Sequence, residues 1–241
     1  MLVTEHFTLQ SARSATISDA NGRTSFFLST LSGLVVALAF VAQMSAFGQA
    51  FVFFALILLP TILFIGLASF ERLLQLGVEN IRCVVAINRI RHYYLEVAPE
   101  LRPHFTLSPH DDARGVLVSL GAIREGVRPW DPFVTNAGMV AMVDAVLAGV
   151  IAAIAALQLG VDVGGAVVAG GVVGVVLLVG LISYLVHTWR TAARVIGVRF
   201  PSEGGVVDLS HIAPPEPRDA RGGLPGGAGE GARPEASAPE R

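Results

Sequence analysis

The chain has 241 residues, 53% of them hydrophobic and only 15% charged, a balance too apolar for a soluble domain of this size. All seventeen basic residues are arginine, and against nineteen acids they leave a net charge of −2, which says less than where the charges lie. One cysteine, Cys83, excludes an internal disulfide and any multi-cysteine metal site.

Residues 5–23 contain no helix breaker before Gly22. Phe7, Leu9, Ala12, Ala15 and Ile17 are scattered around the helix, which predicts an arm lying at the membrane surface. Residues 24–70 carry no charge at all. A membrane helix needs roughly 20 apolar residues, so this stretch fits two spans, 25–47 and 50–70, joined by a tight turn near Ala46 to Gln49. The run is far longer than the apolar core of a secretion signal, which argues against cleavage at the small-residue triplet Gly48-Gln-Ala50. Pro60 removes a backbone hydrogen bond from the second span and predicts a bend there.

From Glu71 the apolar period changes without a turn signal. Leu74, Val78, Ile81 and Val85 recur at spacings of four, three and four, the mark of one buried helix stripe. Arg72, Glu79, Arg82, Arg89 and Arg91 fall on other faces. The second span is therefore expected to continue to about Val97, where Pro99 stops it, projecting roughly 40 Å beyond the membrane. Such a stripe needs cover, from the chain's own arm and tail or from copies of itself as a short coiled coil. Ser108-Pro-His-Asp111 then predicts a new helix, with Ser108 as cap and Asp111 completing a capping box. Arg128-Pro-Trp-Asp-Pro132 returns the chain to the membrane, with Trp130 at headgroup depth. The third and fourth spans lie within 138–187, broken at Gly160 to Gly165. They carry Ala141, Ala145, Gly149 and Ala153, and Ala166, Gly170 and Gly174, at four-residue spacing, faces that let backbones approach closely in lipid. Beyond Phe200 the composition turns to Pro, Gly, Glu and Arg, which predicts a disordered tail from about residue 213.

The turns within the paired spans hold no arginine, whereas the arm holds two, the middle segment eight and the stretch after the fourth span three. The positive-inside rule places all three on the cytoplasmic side. The expected architecture is all-α: a multi-pass cell-membrane protein with four transmembrane helices in two hairpins and a cytoplasmic extension of the second span. Both termini are then cytoplasmic. Its parts are an arm (1–24), a first hairpin (25–70), a cytoplasmic helical segment (71–137), a second hairpin (138–187), a post-membrane segment (188–212) and the tail (213–241).

Three groups of residues are candidates for function. Asp144 is an acid about two turns into the third span, where an ionisable group costs several kcal/mol unless paired or hydrated. It is a candidate pore or proton site, with Gln43, Ser45, Gln158 or His187 along a path. Arg89, Arg91, His92, Tyr93 and Tyr94 form a polar-aromatic cluster that could bind a phosphate or nucleotide, or serve as an ordinary helix surface. Leu74, Val78, Ile81 and Val85 form the stripe available for self-association. His104, His110, Asp111 and Asp112 are better explained by helix capping than by a metal, and no phosphate loop, nucleophile elbow or dinucleotide fingerprint is present.

The layout resembles a family of uncharacterised actinobacterial four-helix integral membrane proteins. The resemblance rests on Ala12-Arg-Ser14, Ala20-Asn-Gly-Arg23, Ile87-Asn-Arg-Ile-Arg-His-Tyr-Tyr-Leu-Glu96 and Ser108-Pro-His-Asp-Asp112. It covers roughly residues 4–190 and implies no activity. There is a looser similarity to membrane effectors of bacterial nucleotide-signalling defence systems, in which an Ala-Asp-x-Lys-Ala-like stretch precedes a helical pair. Ala20-Asn-Gly-Arg-Thr24 departs from that pattern at most positions. The leading expectation is a non-enzymatic membrane protein that self-associates into a pore or membrane effector. The alternatives are an anchor or scaffold for a cytoplasmic protein partner and a small transporter using Asp144. The lipid bilayer is a partner in each, with no nucleic acid, cofactor or metal expected.

Overall fold

The computed structural model describes residues 1–121 and 130–202. The expected disordered tail lies outside them. The first element, α1 (Leu2–Ser45), is one uninterrupted helix. The separate surface arm expected over residues 5–23 is thus replaced by a continuation of the first span. The physical reason is modest cost: a glycine inside a helix loses only about 1 kcal/mol. Gly22 is flanked, moreover, by Asp19 and Arg23, which pair one turn apart at 3.1 Å. The arm also has a protein surface to lie on, since Arg13 Nε donates to Asn80 Oδ1 at 3.2 Å.

The turn after α1 carries two successive left-handed residues that are not glycine, Ala46 (φ 47°) and Phe47 (φ 59°). Both amides return to the end of the helix, with Phe47 N–H reaching Ala42 O at 3.1 Å. The Phe47 ring packs edge-on against Phe51, 5.4 Å between centroids. Next, α2 (Gln49–Val97) runs through Pro60 and well past the end of the apolar sequence. Pro99 opens a 3-10 turn, Pro99–His104.

The short helix α3 (Ala113–Ser119) starts later than the Ser108 capping pattern predicts. Its cap is Asp112, whose Oδ1 accepts from Gly115 N–H at 2.7 Å. The Ser108 hydroxyl instead accepts from His110 N–H at 3.1 Å. Asp111 could not complete a box with Ser108, because its carboxylate is committed to Arg89 and to the backbone at residues 199 and 200. After α4 (Asp131–Val134), Thr135 caps α5 (Asn136–Gln158) and Asp162 caps α6 (Val163–Ile196).

Four helices, α1, α2, α5 and α6, are each long and apolar enough to cross a membrane. Together with an all-helical fold among the described residues, they fit an integral membrane protein. Large apolar side chains such as Phe53, Phe64, Val167, Val175 and Val179 stay exposed on these helices, as expected where lipid rather than water surrounds them. Packing joins α1 to α2, α2 to α5, and α5 to α6. Phe27, Leu59, Phe70, Leu74, Val140, Ala141 and Leu185 form the core. The small-residue faces of α5 and α6 meet each other: a methyl group at Gly174 would sit 2.9 Å from Ala145 O, and one at Gly149 2.8 Å from Gly170 O. Backbone contact of this kind replaces the hydrophobic drive that lipid cannot supply.

Candidate functional site

Asp144 is completely buried in α5, and neither carboxylate oxygen has a hydrogen-bond partner. It faces Gly66 of α2 so closely that a methyl group there would overlap the carboxylate. The glycine is required by close approach here, since its φ lies outside the left-handed range. Asp144 stands eight residues into α5, roughly 12 Å along the helix. Gly66 stands one turn before Phe70, near the end of the charge-free run. The two residues therefore meet toward the arginine-rich end of the spans. The path residues considered with Asp144 do not gather around it: Gln43, Gln158 and His187 are exposed, and Ser45 turns its hydroxyl back to Val41 O.

The polar-aromatic cluster is dispersed over the faces of α2. Arg89 Nε donates to Asp111 Oδ2 at 2.7 Å, and Arg89 Nη2 donates to Gly197 O at 2.9 Å. The buried Arg91 donates to Asn88 Oδ1 at 2.8 Å. His92 stacks on Phe200 with centroids 4.0 Å apart, while Tyr93 points to solvent, half exposed. Tyr94 is half-buried, its ring 6.4 Å from that of Tyr93. These side chains do not converge on one ligand.

They serve a different construction, centred on Asn88. This residue is fully buried, and its amide donates to His110 O (2.8 Å) and Gly115 O (3.3 Å). Its oxygen accepts from both Arg91 and Ser119. Around that hub the chain beyond α6 is drawn back onto α2. Asp111 accepts from Phe200 N–H (2.7 Å) and Arg199 N–H (3.0 Å), and Asp112 accepts from the backbone and hydroxyl of Ser202. Burial opposes ionisation of Asp111, but the amides of Phe200 and Arg199 with the Arg89 guanidinium hold its carboxyl below the usual range. Asp112 is likewise held low, against its own burial, by Ser202 and the Gly115 amide. The hub was within reach of the periodicity: continued by three residues past Val85, the stripe lands on Asn88, a polar residue on a buried face. Nothing in the local pattern marks residues 199–202 as its partners.

The stripe is covered within the chain at Leu74, Ile81 and Val85, while Val78 borders an open depression with Gln75, Glu79 and Arg82. Leu74 and Val85 are buried, and Val78 and Ile81 are partly buried. Val84 and Val85 pack with Val116, flanked by Ile81 and Ile196. Cys83 is half-buried beside this cluster, and burial pushes its thiol up, aided by Glu79 and partly offset by Arg13. No protein-family model, curated protein or solved structure matches this chain.

Proposed function

We propose that this protein is a non-enzymatic membrane protein that handles protons across the bilayer, as a pore or small transporter, with Asp144 as the group that carries the proton. The arginine asymmetry supports a topology with both termini, the end of α2 and α3 in the cytoplasm. The observation that carries the reading is the complete burial of Asp144 with both oxygens unpartnered. A buried acid without a donor is an expensive feature for a structural core, where leucine or alanine would pack at no such cost. It becomes useful when its charge must appear and disappear. A second acid or a shell of oxygen ligands would favour a metal cation, but a lone carboxyl suits a proton. Access requires α2 and α5 to part, and α2 is weakened at that level by Pro60 and Gly66. Leu74, Ile81 and Val85 find cover inside the chain, so the reading rests on one chain rather than on an assembly built through α2.

The test is reconstitution into vesicles with an entrapped pH-sensitive dye and an imposed potential. Wild-type protein should carry protons, and Asp144→Asn, which keeps the shape but not the acid, should abolish flux while its melting temperature stays near wild type. An Asp144→Asn protein that conducts like wild type would overturn the proposal.

A further inference from the structure

A depression of about 320 Å³ opens between α2 and α6 just past the charge-free run. Its polar lining includes Glu71, Gln75 and Arg82 of α2 with Thr188 of α6, and its apolar lining is Leu74 and Val78. Gln75 Nε2 donates to Glu71 Oε1 at 3.3 Å, so the rim is a hydrogen-bonded surface suited to water. Leu74 belongs to two places at once. It lines the depression, and at 1% exposure it is also part of the buried core with Phe70, Val140 and Ala141.

Side-chain contacts set the level of Asp144 against this depression. Arg72 of α2 pairs with Asp19 of α1 at 3.7 Å, and Asn21, two residues along α1, accepts from Asn136 Nδ2 at 2.9 Å. The start of α5 is therefore level with Glu71 and Arg72. Eight residues further along α5, Asp144 lies against Gly66, so the two helices run in opposite directions here. Gly66 stands five residues before Glu71, roughly 8 Å along α2. Gly66, Phe70, Leu74 and Val78 are spaced four apart and form one ridge of that helix. Asp144 faces the first of them, and the last two line the depression. Phe70 and Leu74, 2% and 1% exposed, are what stands between acid and depression on this ridge. On the α6 side Trp189, next to the lining Thr188, holds a buried Nε1–H without an acceptor against Gly77. Water entering this seam would meet that donor.

We propose that this depression is the aqueous entrance to Asp144, and that Leu74, backed by Phe70, is the apolar gate that closes it. The inference rests on the proton-carrying reading of Asp144. Two buried apolar side chains offer water no hydrogen bond, so the short gap behind the depression stays dry while they are packed. Displacing them, by a bend of α2 at Pro60 or a change of the Leu74 rotamer, lets water bridge the gap and reach the acid. The gate faces the arginine-rich side, so Asp144 exchanges its proton on that side first.

The experiment measures access to Asp144 apart from transport. The full chain in neutral detergent is treated with a water-soluble carbodiimide and glycine ethyl ester, and mass spectrometry of the α5 peptide gives the rate at which Asp144 is amidated. Leu74→Ala should raise that rate severalfold over wild type. Leu74→Val, a smaller change that keeps the test valid should Leu74→Ala fail to fold, should raise it less. Leu147→Ala opens space in the same core on the side of Asp144 away from the depression and should leave the rate near wild type. In vesicles, proton flux should rise with Leu74→Ala and vanish when Asp144→Asn is added. Unchanged labelling in both Leu74 variants, or an equal rise with Leu147→Ala, would overturn the gate whatever the flux. Faster labelling in Leu74→Ala without any Asp144-dependent flux would support the entrance and overturn only the proton-carrying reading.

Discussion

Gly66 and Asp144 share one small space between α2 and α5, so their substitutions should not be independent. Gly66→Ala drives a methyl group into the carboxylate and should cost about 1–3 kcal/mol. Asp144→Ala removes a buried group with no partner and should raise stability by about 1 kcal/mol, at the expense of proton flux. The double variant should be less destabilised than the sum, and a denaturation cycle in detergent measures that coupling. Additive effects would separate the two side chains. At the other pole stands the pair Asp111 and Asp112, whose depressed values give stability that is present above the ordinary carboxyl value of 3.8 and is lost as pH falls through the folded values below it. Amide-exchange protection at Arg199, Phe200 and Ser202, corrected for intrinsic rates, should therefore stay constant between about pH 8 and 5 and fall only in stronger acid.

At the scale of the helices, α2 performs two tasks with one stripe. Its first half builds the bundle core through Leu59, Phe70 and Leu74, and its second half holds α3 and the end of α6 through Val84, Val85 and Asn88. Val85→Asp places an unpaired charge at a position 3% exposed within its own chain. It should lower the melting temperature steeply, by several kcal/mol of stability, instead of merely dissociating an assembly. Asn88→Ala strands the donors of Arg91 and Ser119 and the carbonyls of His110 and Gly115, so it should cost about 2–4 kcal/mol. The readout is early release of residues 197–202 in exchange experiments. Ala46→Gly should do the opposite and add about 1 kcal/mol, because glycine adopts the left-handed turn without the β-carbon clash.

For the molecule as a whole, the cover that Leu74, Ile81 and Val85 find inside the chain and the mutual contact of the α5 and α6 small-residue faces let one chain build its own bundle among the described residues. Light scattering corrected for bound detergent should return one chain, 25.3 kDa. A discrete multimer would return the stripe to an intermolecular role and redirect the flux experiments to the assembly.

The number of apolar spans, the charge-free length of the first pair, the continuation of α2 beyond the apolar sequence and the stop at Pro99 were all legible in the sequence. Each depends on residues within a few turns of one another, where hydropathy and helical period act locally. Asp144 was legible as an anomaly for the same reason. The start of α3 and the continuity of α1 were misplaced because distant groups outweighed local signals: Asp111 is claimed by residues 199 and 200, and the arm has Asn80 to rest on. Only the tertiary structure decided that Gly66 faces Asp144 and that Asn88 is a hub for the chain beyond α6. These pairings join residues far apart in the chain, and they follow from how whole helices dock, which no local pattern encodes.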